Sequence, residues 1–232
     1  MKALLLGLGL FAAAASQAPA QKAQETPSAL QADPKGWVDL LADTSLKGWS
    51  RVPLGSVGQL PAGKADDPSP WKIDPSGPMV ICDGDKSGHE MLRYTREFAD
   101  FELHAEWRFT KLEGEKPYNS GVFVRTSADG TTWFQAQTGP AGGYLFGVAV
   151  VNGKPGRVNL SKAMVENRVK PAGEWNTYEI RADGRTITLW VNGAVVNEYK
   201  ECEVPRGYIG LEAEGYRIEF RNLKVRTLRE GL

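Results

Sequence analysis

The 232-residue chain reads as an all-β sandwich of two antiparallel sheets. Three observations predict this. Apolar and polar residues alternate with period two in several short runs, as they do when successive side chains point to opposite faces of a sheet. Asp-Gly and Asn-Gly pairs separate those runs, which suits two-residue hairpins that require positive φ. No repeat of 20 to 50 residues is present, which disfavours propellers and solenoids.

Taken in order, residues 1–20 have the pattern of a secretory signal peptide. Lys2 gives a positive start, Ala3 to Ala15 are almost wholly apolar, and Ala18-Pro19-Ala20 supplies small residues for cleavage after Ala20. The apolar run is shorter than the roughly 20 residues of a membrane span, and no later stretch is long enough. An exported protein, periplasmic or extracellular, is expected. Residues 21–35 are rich in Gln, Ala, Pro and Glu without period and predict a mobile leader. One domain is expected over 36–230, because 212 residues remain after cleavage and that length suits a single sandwich with a substantial core.

Trp37 to Leu41 predicts a first short strand, closed by a turn at Asp43-Thr44. Four prolines and three glycines between Val52 and Pro70 mark a long surface loop. Trp71 to Ile73, Pro78 to Cys82 and Met91 to Tyr94 predict strands, with a polar loop Asp83 to His89 between the last two. Tyr144 to Val151 is nearly continuously apolar. Lys154 to Pro171 has no convincing period beyond a short helical turn near Ser161 to Glu166. Trp175 to Arg181 and Thr186 to Val191 alternate around Asp183-Gly184, with Asn192-Gly193 turning next. Tyr208 to Ala213 and Ile218 to Leu228 complete about a dozen short strands, at the spacing of a sandwich.

The most informative stretch runs from Phe101 to Gln137. Phe101, Leu103, Ala105, Trp107 and Phe109 share one face, and Glu102, His104, Glu106 and Arg108 share the other. Val122 and Val124 alternate with Phe123 and Arg125, and Phe134 and Ala136 with Trp133, Gln135 and Gln137. If the three strands lie in one sheet with Glu106, Arg125 and Gln135 on the same side, that side suits a hydroxyl-rich ligand. The plainer alternative is the solvated side of a sandwich. Trp190, on the face opposite Ile187, Leu189 and Val191, fits a stacking platform or packing under a loop.

Composition excludes several classes. Lys plus Arg equals Asp plus Glu at 28 each, so nothing favours nucleic acid or an anionic membrane. His89 and His104 lie in different segments, and no paired-cysteine or calcium-loop spacing occurs, which argues against zinc. A hard divalent cation held by carboxylates near Asp83, Asp85 or Glu106 is compatible with the sequence. There is no phosphate-binding glycine loop and no Gly-x-Ser-x-Gly elbow. Cys82 and Cys202 fit either a disulfide or two small buried side chains. Glu102 and Glu106 are about 13 Å apart by strand rise, too far to act as a paired glycosidase dyad.

The ordered set GWVDLLADTSLKGW, WKID, ICDG, ADFELHAEWRF, NSGVFVR, WFQAQ, EWNTYEIRADGRTITLWVNG and VPRGYIGLEAEGYRIEFRNLKV resembles the 3-keto-disaccharide hydrolase domain family from Gly36 to about Leu228. The resemblance implies a concanavalin A-like jelly roll with a sugar-facing surface. It also implies cleavage of glycosides oxidised at sugar carbon 3, by elimination and hydration or by net hydrolysis. Such a site needs a base, an enolate stabiliser and an acid for the leaving oxygen. Glu106 is the expected base with His104 behind it, and Arg125 the expected enolate stabiliser. Arg108 or a cation would assist, while Asn119, Gln135, Gln137 and Trp190 would hold the sugar. Where many relatives carry Glu-x-Gln, this chain has Gln135-Ala136-Gln137. An amide cannot do acid–base work, so a carbohydrate-binding module without catalysis is the alternative expectation.

Overall fold

The computed structural model of the chain describes residues 22–42 and 45–229. The expected signal peptide and the Asp43-Thr44 turn lie outside the described residues. Among them the strands are β1 (Val38–Asp39), β2 (Trp49–Pro53), β3 (Trp71–Ile73), β4 (Met79–Asp83), β5 (Glu90–Phe98), β6 (Phe101–Phe109), β7 (Gly121–Thr126) and β8 (Trp133–Gln137). They continue with β9 (Leu145–Val151), β10 (Lys154–Asn159), β11 (Asn176–Asp183), β12 (Thr186–Val191), β13 (Ala194–Tyr199), β14 (Gly207–Ala213) and β15 (Arg217–Thr227).

Two antiparallel sheets form. The first has the order β13-β12-β11-β6-β15-β4-β3, with β1 also pairing β15, and the second β10-β9-β8-β7-β14-β5-β2. Their facing sides make one core. Phe101, Leu103, Ala105, Trp107 and Phe109 enter from β6, and Val122, Val124, Phe134, Ala136, Ile209 and Leu211 from the other sheet. Burying each of the larger apolar side chains contributes about 1.5–3 kcal/mol, so the alternation fixes which face of every strand turns inward. Val191 pairs with Ala194 across a two-residue loop. Asn192 and Gly193 both take positive φ there, 43° and 113°, the backbone a type I′ hairpin requires.

Three expectations are corrected and one open alternative is resolved. β6 lies in the first sheet and β7 and β8 in the second, so the three strands of the central stretch do not share a face. Lys154–Asn159, which lacks period, is a strand at the edge of the second sheet, where Pro155 costs no central ladder bond. The residues from Lys22 to Pro34 are not a loose leader. Thr26 N–H donates to Gly193 O at 2.6 Å, and a short helix, α1 (Ala29–Ala32), is closed by a capping box between Ser28 and Gln31. Finally, Cys82 and Cys202 are both free and buried, so they act as small apolar side chains rather than as a disulfide.

One edge of the sandwich is stapled. Arg51 of β2 grips Glu90 bidentately, at 2.9 and 2.6 Å, and Trp71 of β3 donates its indole N–H to the same carboxylate at 2.7 Å. Because β2 and β3 are edges of different sheets, this buried carboxylate holds the two layers together.

Candidate functional site

The outward face of the first sheet carries four of the expected residues, and their hydrogen bonds are internal. Glu106 accepts from Arg221 Nε at 2.7 Å and Asn222 Nδ2 at 3.0 Å. His104 Nε2 stands 3.7 Å from Glu106 Oε1, an electrostatic partner rather than a hydrogen-bonded one. That imidazole, with Asn222 and Arg221, holds the Glu106 carboxyl down at about 2, so it is a poor base. The His104 pKa is raised: burial opposes its charge, and Glu106 and Glu179 outweigh burial. His104 Nδ1 lies 2.8 Å from Glu179, whose carboxylate also accepts the backbone N–H groups of Ala29 and Leu30. Trp190 donates to Thr26 Oγ1 at 2.9 Å, and Arg108 pairs with Glu219 at 2.7 Å. The N-terminal segment therefore docks on this cluster.

Arg125 leaves both faces. Between Tyr208↔Thr126 and Gly210↔Phe123 the register shifts, leaving an extra residue on β7, and Arg125 takes φ 48°. A bulge of this kind re-aims a side chain. The guanidinium is 1 % exposed and donates to the carbonyls of Gly184, Val204 and Ala99 and to Asp100, at 2.7–3.2 Å. It closes the end of the sandwich. Period-two reading could not anticipate a bulge, and for that reason it set Arg125 beside Phe123.

The outward face of the second sheet gathers the other three expected residues and adds several that sequence reasoning missed. Gln135, fully buried, donates to Glu212 at 3.2 Å and to Gln137 Oε1 at 3.0 Å. Gln137 donates to Asn119 and to the carbonyls of Ser120 and Thr138. Gly121 makes room for this row, since a Cβ there would sit 2.4 Å from Gln135 Nε2 and displace that amide. Ser120 Oγ fixes β14 by donating to Glu212 O at 2.8 Å. Phe123, Trp133, Phe146 and Tyr144 border the amides as a chain of ring contacts 5.0–5.7 Å between centroids.

His89 reaches the same row from the loop before β5. Its Nδ1 is 2.6 Å from Gly55 O and its Nε2 2.9 Å from Glu212 Oε1. A carbonyl only accepts, so Nδ1 carries a proton. The His89 pKa is raised, since Glu212, the Gly55 carbonyl and Glu214 outweigh the burial that disfavours its charge. The His89 Nε2 is thereby aimed at the Glu212 carboxyl. Glu214, half-buried next to it, is pushed up to about 8 by burial and by the Glu212 charge. β14 and the residue just past its end thus set two carboxyls side by side, Glu212 met by His89 and Gln135 and Glu214 pushed up to about 8, an arrangement that suits a base beside an acid.

The sequence did hold a signal for this pair: Glu212 and Glu214 alternate with Leu211 and Ala213 in the run GLEAEGY. His89 had none, because its loop meets Glu212 only through long-range pairing. Among the described residues, no group of three or more His, Cys, Asp or Glu could hold a metal ion. Two of the three acids expected near a cation are otherwise engaged: Asp83 pairs with Lys72 and Arg217, and Glu106 with Arg221. No helix among the described residues is long and apolar enough to cross a membrane.

The fold is shared with proteins that handle carbohydrate. A candidate glycosyl hydrolase from Parabacteroides distasonis superposes with a TM-score of 0.60 at 15 % identity, covering 89 % of this chain and 100 % of that one. The carbohydrate-binding module CBM66 from Bacillus subtilis gives 0.55 at 13 %, covering 78 % and 96 %. A β-glucanase from Bacillus licheniformis gives 0.53 at 14 %, covering 83 % and 97 %. A search of curated proteins finds no match. The sequence profile of the 3-keto-alpha-glucoside-1,2-lyase-like domain matches residues 36–226. With that profile spanning most of the chain, and the jelly-roll sandwich beneath it, the chain belongs to the 3-keto-alpha-glucoside-1,2-lyase-like domain family.

Proposed function

We propose that this protein is an exported enzyme that cleaves glycosides bearing a ketone at sugar carbon 3, and that the outward face of the second sheet is its active site. The observation that carries this reading is the Glu212–Glu214 pair: Glu212 is braced as an anion by His89 and Gln135, while Glu214 is held neutral to about pH 8. The carbon-3 ketone acidifies the hydrogen on carbon 2. Glu212 removes that proton, and the electron pair forms the enolate. Collapse of the enolate breaks the bond from carbon 1 to the glycosidic oxygen, which takes the Glu214 proton. Water then adds at carbon 1, giving its proton to Glu214 while Glu212 returns its own to carbon 2. His89 positions the Glu212 base through its Nε2, and Gln137 and Asn119 supply amides for sugar hydroxyls.

Gln135 supports this reading rather than weakening it. Its amide N–H donates a hydrogen bond to Glu212 that an ionised glutamate at the same position would not supply. The proposal moves the base from Glu106 to Glu212, because Glu106 is neutralised on the other face. The test is release of aglycone from a 3-keto-glucoside by the purified protein, with Glu212→Gln and Glu214→Gln as the decisive variants. Saturable binding without release in the unaltered protein would favour the second reading, a carbohydrate-binding module, to which the row of three amides is equally suited.

A further inference from the structure

One cavity lies at the end of the proposed active face and has no part in the chemistry above. It encloses about 440 Å³ and is walled by Leu112, Tyr118, Pro140 and Pro171, with Lys111 and Lys116 at its rim. That volume is within the range of small-molecule sites, about 300–1,000 Å³. Leu112 is 47 % exposed there, and Tyr118 is held by its hydroxyl, which accepts from Leu112 N–H at 2.8 Å.

Strand register connects this cavity to the acid. Leu211 pairs with Val122, so continuing the antiparallel register sets Glu212 level with Gly121 and Glu214 level with Asn119. Tyr118 is the residue before Asn119, and Tyr216, two beyond Glu214, meets the Tyr118 ring at 5.2 Å. Pro140 follows Gln137 by three residues, inside a turn in which Gly142 N–H donates to Gly139 O at 2.8 Å. Thus the cavity opens at the strand end where Glu214 lies, on the β7 and β8 side of β14, while His89 stands on the β5 side. A glycoside has two halves. Its leaving oxygen must meet the acid, and the group attached to that oxygen must extend beyond it.

We propose that this cavity is the leaving-group subsite and that it takes an aromatic aglycone carrying a carboxylate, in preference to a second sugar. The walls are apolar and proline-rich, which suits a flat ring better than a ring of hydroxyls. Two lysines against the single Glu115 at the rim give the entrance a net positive charge, and a carboxylate there gains charge-assisted hydrogen bonds. The inference rests on the active-face assignment of the previous subsection and adds to it the class of substrate.

Binding of unoxidised probes separates this inference from turnover. Calorimetry of the full protein with methyl, phenyl and 4-carboxyphenyl β-glucoside, and with cellobiose, should give affinity in the order 4-carboxyphenyl, phenyl, then methyl and cellobiose together. The 4-carboxyphenyl compound should bind about tenfold or more tightly than methyl glucoside. The Lys111→Ala/Lys116→Ala double variant should reduce 4-carboxyphenyl glucoside to the affinity of phenyl glucoside. Leu112→Asp should remove the advantage of both aryl compounds over methyl glucoside. Equal affinity for methyl and aryl glucosides, or tighter binding of cellobiose, overturns the subsite while leaving the active face standing. Binding of none of the four overturns both.

Discussion

Both outward faces of this sandwich carry carboxylates, amides and one histidine, yet they are built for opposite ends. On the first sheet, Glu102, Glu106 and Glu179 each meet a cation or a histidine, and Glu179 and Trp190 also hold the N-terminal segment. On the second, Glu212 and Glu214 share one histidine and no arginine or lysine pairs with either among the described ion pairs. Neutralised charge stabilises a surface, whereas charge left partly unneutralised shifts protonation. An inventory of polar residues therefore does not identify a site; the ratio of acids to bases within reach does.

The largest expected effect breaks the comparison outright. Glu212→Gln and Glu214→Gln should each lower turnover of a 3-keto-glucoside by about 10²–10⁴-fold, while Glu106→Gln leaves turnover of the folded protein nearly intact. The opposite ranking, read from kcat in folded variants, would transfer the active site to the first sheet. Next comes pH. Since Glu214 must be protonated to serve the leaving oxygen, turnover should fall about tenfold per unit above a pKa of about 8, and a pH–rate profile flat to pH 10 is incompatible with that role.

Stability sharpens the same contrast. His104→Ala leaves Glu179 buried without its imidazole partner, and should cost about 3 kcal/mol in urea unfolding. The Glu106 carboxyl is lowered from 4.5 to about 2 on folding, so its contribution is complete above pH 4.5 and is lost as pH falls toward 2. The His104 pKa is raised, so its contribution is complete below 6.5 and is lost as pH rises through the folded value. Urea midpoints measured across pH should therefore weaken in both directions, and Glu106→Gln should shrink the acid limb and, by removing one of the carboxylates that raise His104, the basic limb as well. Smallest of all, Thr26→Ala deletes one hydrogen bond to Trp190 and should cost about 0.5–1.5 kcal/mol, visible as earlier proteolysis near Thr26.

Most of the fold was legible because strands buried on one side must alternate, and the hairpin at Asn192-Gly193 because few other pairs accept that backbone. What the alternation could not convey was which strands become neighbours. Glu106 and Gln135 each have a polar face assigned correctly from sequence, yet those faces are on opposite sides of the molecule. The capping box at Ser28 and Gln31 was present in a segment whose composition suggests mobility, and composition does not register a cap. Asn119, Gln135 and Gln137 were named through the family resemblance, and it is the β7–β8 pairing that brings them into one row. His89 was not, because it meets Glu212 across 123 residues of chain.

The Arg51–Glu90–Trp71 staple has a kinetic meaning as well as a static one. Glu90 immediately follows His89, so the side chain that clamps the layers and the side chain that braces the reactive carboxylate share one peptide unit. Warming that loosens this seam should misalign His89 before the sheets separate. Heat inactivation should then run ahead of the loss of β-sheet circular dichroism, with Trp71 fluorescence reporting the earlier event.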